Sequence, residues 1–266
     1  MLSNSINIAL SDVIAASKRY SLAGMLGWQD VRQRYRRSAL GPFWLTISMG
    51  IMISTMGLVF GQIFKSPLTE FLPFLSIGII LWGFISVSIS EGCTSFIDAQ
   101  AIIKQLPIPL FVHIIRTIWR NILILAHNIV IFPLIFIAVG KSLNLTMLIS
   151  ILGFLLLIIN LTWITLLVGL LSARFRDLPQ IIASILQVVF YLTPIIWMPS
   201  LLPQRANLYL LDINPVYHLL EIVRSPLLGN FPTITNWVVT LILALFGWTL
   251  TLVMYGRYKN RIAYWL

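Results

Sequence analysis

Long apolar stretches alternate with short polar ones along most of this 266-residue chain. A membrane-crossing helix needs about 20 predominantly apolar residues. By that measure the pattern predicts six spans, at 40–64, 71–90, 111–139, 146–172, 181–199 and 234–256. The expected fold class is an all-α polytopic membrane protein. A cytoplasmic amphipathic interface segment would occupy 1–39 and a transmembrane domain 40–266.

Three segments read as neither plain loop nor span. Residues 12–37 predict an interfacial helix, continuous or broken near Gly24 and Gly27. Trp28, Val31 and Tyr35 share one face at helical spacing, while Arg32, Arg34, Arg36 and Arg37 can meet lipid phosphates. The stretch 91–109 is too polar to span, and Pro107 and Pro109 end any helix before them. A short helix over Thr94–Leu106 would present Phe96, Ile97, Ile102 and Ile103, flanked by Asp98, Gln100 and Lys104. Those residues either pack back onto their own bundle or dock into a partner's cleft. The connection 200–231 is longer than an unstructured loop usually is. Asn214 followed by Pro215 predicts a helix start there, running to about Arg224 with Pro226 as its stop. Its apolar face of Val216, Leu219, Leu220 and Val223 would sit at the outer leaflet as a short re-entrant or periplasmic helix.

Composition agrees with a membrane chain: 59% of residues are hydrophobic and 10% charged, against about 25% charged in soluble domains. The net charge of +10 could suit nucleic acid, but its placement argues for topology and membrane lipid. Fourteen of the 18 lysines and arginines fall on one side of the six-span layout. That side is cytoplasmic, which puts both termini inside a multi-pass membrane protein and leaves no role for nucleic acid. Residues 1–20 lack the continuous apolar core of a signal peptide. One cysteine, Cys93, allows no internal disulfide and argues against a Cys-based metal site.

The chemistry carried by the chain is sparse. None of the eight carboxylates falls deep in a predicted span, which argues against proton- or sodium-coupled pumping. Gly140-Lys141-Ser142 resembles the end of a phosphate-binding loop, but Ile135 stands where the leading glycine is required. No nucleophile elbow or His-Glu-x-x-His motif occurs. His127 and Asn128, inside span three, read as interhelical hydrogen-bond partners. A membrane path without a source of energy is what remains.

Gly50, Ser54, Gly57 and Gly61 fall on one face of span one. Small residues at that spacing let helices approach closely, within the chain or across a two-fold axis in a homodimer. Phe43, Trp44 and Phe60 in span one, and Phe190, Tyr191 and Trp197 in span five, could line a conduit and stack on sugars. They could equally form the aromatic belts at the lipid interfaces.

Four stretches together resemble the permeases of ABC-2-type transporters, most of all those exporting O-antigen and other surface polysaccharides. They are Trp28 to Trp44, Lys104-Gln105-Leu106-Pro107, Phe175-Arg176-Asp177 with Leu192-Thr193-Pro194-Ile195-Ile196, and Asn214-Pro215 with Arg224 downstream. Many members carry a proline soon after the counterpart of Trp44; here Leu45 to Ile53 has none. The resemblance implies a homodimeric half-transporter bound to two copies of an ATPase subunit, which would hold ATP and Mg²⁺ while this chain holds no cofactor. It implies a lipid-linked polysaccharide as substrate, a channel along spans one and five, and coupling through residues 91–109 and the interface helix. Arg32, Arg34, Arg36 and Arg37 become candidates for the pyrophosphate of the lipid carrier. Two alternatives stay open: a drug or small-lipid exporter of the same fold, and a membrane-embedded enzyme with paired carboxylates at a membrane face.

Overall fold

The computed structural model describes residues 2–36, 41, 43–142, 144–201, 203 and 211–266. Among these residues there are helices and no strands. The junction between the interface segment and span one, with Arg37, lies outside them.

The interface segment is two helices, α1 (Leu2–Lys18) and α2 (Tyr20–Tyr35), jointed at Arg19. Of the two forms the sequence allowed, the segment is two pieces, but the break falls at Arg19 and not near Gly24 or Gly27. Gly27 instead lets α2 press onto a later helix, α6 (Phe111–Asn128): a Cβ there would stand 3.1 Å from the Arg116 carbonyl oxygen. One buried carboxylate, Asp12, gathers three other parts of the chain at the end of the bundle that α1 covers. It accepts from the Tyr255 hydroxyl at 2.6 Å and from the Phe111 backbone N–H at 3.0 Å, and it pairs with Lys259 at 2.7 Å.

Among the described residues, five helical segments are long and apolar enough to cross a bilayer: Phe43–Ile63, Leu68–Thr94, Phe111–Ala138, Leu145–Arg174 and Ile234–Trp265. The first two are α3 and α4. α3 is uninterrupted, as the lack of a proline after Trp44 implied. Next comes the short α5 (Gln100–Gln105). The third segment is α6 followed by α7 (Ile131–Ala138), divided at Ile129 and Val130. Pro133 causes the division, because it offers no N–H to the Ile129 carbonyl and its ring crowds that oxygen. The fourth is α8 (Ile149–Arg174), entered through a 3₁₀ turn at Leu145–Leu148.

The fifth expected span departs from the pattern. Its helix, α9 (Leu178–Leu192), has 15 residues, or about 22 Å against a hydrocarbon core of about 30 Å. Pro194 forces Thr193 into an extended conformation, and the chain runs on without regular helix to Met198. Non-helical backbone at this depth needs protein partners for its polar groups. They come from α10 (Pro215–Leu227). The Asn214 side chain caps α10 by accepting from the Val216 and Tyr217 N–H groups, and its Nδ2 donates to Thr193 Oγ1 at 2.9 Å. The Arg224 guanidinium, fully buried, donates to the Pro194 carbonyl at 2.5 Å, pairs with Glu221 and lies 4.1 Å over the Phe74 ring.

That insertion corrects two expectations. Pro226 does not stop the helix, which continues to Leu227. Nor is α10 a surface element: His218, Leu219, Leu220, Ile222 and Val223 are all buried. Its backbone lies so close to α8 that a Cβ at Gly153 would fall 2.1 Å from the Ile222 carbonyl oxygen. The last long helix, α11 (Ile234–Tyr258), closes the bundle, with Asn160 of α8 donating to its Thr240 carbonyl at 3.2 Å.

Burial is uneven. α4 is the central helix, whereas α3 buries only Ile53, Gly57 and Gly61, and α9 buries nothing. Gly57 and Gly61 face α4 of their own chain: added Cβ atoms would stand 2.2 Å from Leu72 and 2.8 Å from Leu68. These two glycines therefore serve intramolecular packing, not a self-association face. Gly50 faces open space and Ser54 is exposed.

Replacing Arg224 with Met should strand Glu221 in the bundle and release the Pro194 carbonyl. Loss of one partner of a buried pair typically costs about 3–5 kcal/mol. The expected outcome is a lower Tm in detergent, partly restored by adding Glu221→Gln; a parental Tm in the single variant would mean that α10 is held by packing alone.

Candidate functional site

At the end of the bundle where α2 packs, α2, α4 and α6 are tied by one charge cluster. Asp30 takes Arg116 through two contacts, at 2.7 and 2.5 Å, and Arg120 at 2.9 Å. Glu91 takes Arg120 at 2.7 Å on Oε2 and Arg34 at 2.7 Å on Oε1. Asn121 adds a hydrogen bond to Glu91 Oε2 at 3.1 Å. Arg116 and Arg120 stand one helical turn apart, so both point at the same neighbours. Burial would raise the Asp30 carboxyl, but the hydrogen bond and charge of Arg116, with those of Arg120, hold it below the ordinary aspartate range. A depressed carboxylate contributes stability above its unfolded value and loses it as pH falls through the folded one. The tie between Asp30 and α6 therefore persists through neutral pH and fails only in strong acid.

Two cavities flank α3. One, of about 420 Å³, lies between α3, α4 and α9, with Met49, Met52, Met56, Trp82, Gln187 and Phe190 among its lining residues. The Trp82 and Phe190 rings are 5.6 Å apart. The other, of about 250 Å³, lies between α3, α4 and α6 and reaches Arg34, Asn121 and Asn128. The first is lined by apolar and aromatic side chains with few polar groups and no charged residue.

Residues 22–228 match the family model described as ABC-2 type transporter. The chain belongs to the ABC-2 transporter family. Among curated proteins it is similar to "O-antigen export system permease protein RfbA" of Myxococcus xanthus, 21% identical over 72% of this chain and 74% of that protein. It is also similar to two proteins of that name from Klebsiella pneumoniae. The longer match is 22% identical over 88% of this chain and 91% of the relative; the other is 22% identical over 71% and 73%.

In this ABC-2 chain the predicted site residues separate into groups. Of the six aromatics, Phe190 lines the larger cavity. Tyr191, 63% exposed, packs edge-on against Phe190, with Trp197 Nε1 donating to its carbonyl at 3.2 Å. Phe60 stacks on Phe64 instead of facing the cavity. Phe43 meets His127 edge-on, and Trp44 is exposed. Asn128 accepts from Thr46 of α3 at 3.3 Å, and His127 bonds within its own helix to the Leu123 carbonyl.

The interface and coupling residues also divide. Arg32 and Arg36 are exposed, Trp28 is half-exposed beside Trp119 in a shallow apolar pocket, and Tyr35 is half-buried near Arg34. Arg34 is engaged by Glu91 instead of facing lipid freely. Phe96 is fully buried in the chain's own core, which removes it from any docking face. Ile97, Ile102 and Ile103 are half-buried, Ile103 against that same core, and Gln100 is half-buried. Exposed around α5 are Asp98, Ala101, Lys104, Gln105 and Leu106. Asp98 accepts from the Thr94 hydroxyl at 2.7 Å.

The charge cluster and the methionine row escaped the sequence reading. Both had signals: Arg116 and Arg120 sit inside an otherwise apolar helix, where charges need partners, and Met49, Met52 and Met56 repeat at helical spacing. The paired carboxylates that the enzyme alternative requires are Asp30 and Glu91, which share Arg120, but with Arg34 and Arg116 beside them both are held in ion pairs.

Changing Glu91 to Ala should free Arg34 and loosen α2 from α4. Trypsin should then cut at Arg32 to Arg36 faster by about tenfold, as a loss of about 1.4 kcal/mol in local stability implies. An unchanged cleavage rate would place the anchoring of α2 on Asp30 alone.

Proposed function

We propose that this chain is the membrane permease subunit of an ATP-driven exporter of lipid-linked polysaccharide of the O-antigen type. The observation that carries the reading is the unburied pair α3 and α9 on either side of a methionine- and aromatic-lined groove. Membrane helices left this bare in one chain gain packing from a second copy. The exposed residues of α3, including Ile47, Ile51, Ser54 and Leu58, form the face that would meet it. Two such grooves facing each other enclose a conduit of flat, uncharged surfaces. A polymer can slip along such a wall because each contact is weak and repeated, as conduction through multi-site pores requires. The names of the relatives support the polysaccharide as cargo. The charge asymmetry supports cytoplasmic termini, and the cell inner membrane is the one an exporter of this kind would cross.

The chain's own chemistry supplies no energy, so an ATPase subunit, one per permease, drives the cycle. It docks on the exposed side of α5, with Leu106 as the apolar contact and Lys104 and Asp98 as polar flanks. Leu106→Asp should abolish co-purification of the ATPase while Tm stays parental, because Leu106 is 53% exposed. An intact complex carrying that substitution would move the docking site elsewhere.

The cargo is tested on the groove. Trp82→Ala and Tyr191→Ala should lower surface polysaccharide severalfold and raise the lipid-linked glycan retained inside, with the ATPase still bound. Parental surface glycan in both variants, together with lost efflux of a small hydrophobic compound, would replace the polysaccharide by a small apolar cargo; the methionine row would suit that cargo.

A further inference from the structure

The smaller cavity, between α3, α4 and α6, has a polar end and an apolar body. Its polar end holds Arg34 and Asn121; its wall is apolar, with Met49, Val87 and Leu125 among the residues, and Asn128 lies at the far end. Asn121 and Asn128 are two turns apart on α6, about 10 Å along its axis. The charged rim lies level with the Glu91–Arg120 pair at the cytoplasmic boundary, so the body of the cavity extends into the lipid leaflet.

Two features of the polar end point to a ligand. The first is the division of labour on Glu91. Its Oε2 is held by Arg120 and Asn121, whereas Oε1 is held by Arg34 alone. Arg34 can therefore leave without stranding Glu91. Its side chain is 44% exposed, against 15% for Arg120, and it lies at the cavity wall. The second feature is Asn121, 2% exposed, whose Oδ1 has no hydrogen-bond partner among the described residues. Its orientation is set by chemistry: a carboxylate only accepts, so the amide NH₂ must face Glu91 and Oδ1 must face away. A buried acceptor of this kind calls for a donor.

We propose that this cavity binds one anionic phospholipid with a hydroxylated head group. Arg34 swings from Glu91 to the phosphate, Asn121 Oδ1 accepts from a head-group hydroxyl, and part of an acyl chain lies between α3, α4 and α6. Charge complementarity selects an anion, and the unpartnered amide oxygen selects a hydroxyl donor. The cavity is walled by helices of one chain on the side of α3 away from α9. Its occupant is accordingly a resident lipid, separate from the exported molecule, and the site does not depend on the cargo being a polysaccharide.

The test counts lipid on the delipidated permease, purified in mild detergent with its associated subunits, by native mass spectrometry during titration with dioleoyl phosphatidylglycerol. One retained molecule per chain is expected, with occupancy about tenfold lower in Arg34→Gln, as loss of one charge-assisted contact implies. Val87→Trp fills the cavity without touching the charge cluster and should lower occupancy similarly. Dioleoyl phosphatidylcholine, which has no net charge and no head-group hydroxyl, should not compete. Equal retention of phosphatidylglycerol by the parent and both variants would overturn the site, as would equal binding of phosphatidylcholine. Preferential displacement by undecaprenyl phosphate would overturn the resident-lipid assignment in favour of the carrier. Surface polysaccharide is scored separately in the same variants, so loss of lipid with intact export and loss of export with intact lipid report on different claims.

Discussion

Polar groups among lipid tails have no water to turn to, and the architecture of this ABC-2 chain follows from how each finds a partner. The strongest case is Arg224. A guanidinium with no solvent exposure would be prohibitively costly alone, yet here it has Glu221, the Pro194 carbonyl and the Phe74 ring. The helix break after Leu192 and the inserted α10 explain each other. Pro194 leaves a carbonyl unsatisfied in the bundle, and α10 enters deeply enough to satisfy it. The end that carries α1 and α2 uses the same logic, with Asp12 and the Asp30–Glu91 pair drawing helices distant in sequence onto shared hydrogen bonds.

These anchors divide the molecule into a packed part and an open part. α4, α8, α10 and α11 interlock through glycines, small polar side chains and buried amides. α3 buries only a narrow seam at Ile53, Gly57 and Gly61, with Phe43 and Thr46 reaching α6 near one end, and α9 has no buried residue. The seam leaves most of α3 free to line cavities on two sides. One opens toward α9 with rings and methionines; the other opens toward α6 with an arginine and a buried amide. A single helix therefore borders both the proposed conduit and the proposed lipid site, and Met49 and Gly83 line both cavities.

Alternatives are weighed by the same contacts. A membrane-embedded enzyme would need carboxylates free to move protons. Asp30 and Glu91 come together, but each is held by arginines, which serves anchoring and not acid–base exchange. Export fits the groove better because its walls are uncharged.

The sequence by itself determined the class of the molecule, its long apolar helices, the cap at Asn214 and Pro215, and the short helix between Pro107 and the end of span two. These features depend on local composition and on backbone rules that act within a few residues. Tertiary structure alone decided which face of each helix is covered. Gly57 and Gly61 have spacing equally suited to a second copy and to α4, and only the position of Leu68 and Leu72 settles it. Phe96 looks like a docking residue until the fold places it in a buried cluster with residues of α6, α8 and α11. Arg224 was counted with the outer loops because its segment is amphipathic and short; its burial depends on a broken helix 30 residues earlier. Residue spacing along one helix reports its own periodicity, whereas partners at long sequence separation are chosen by the packing of the whole bundle.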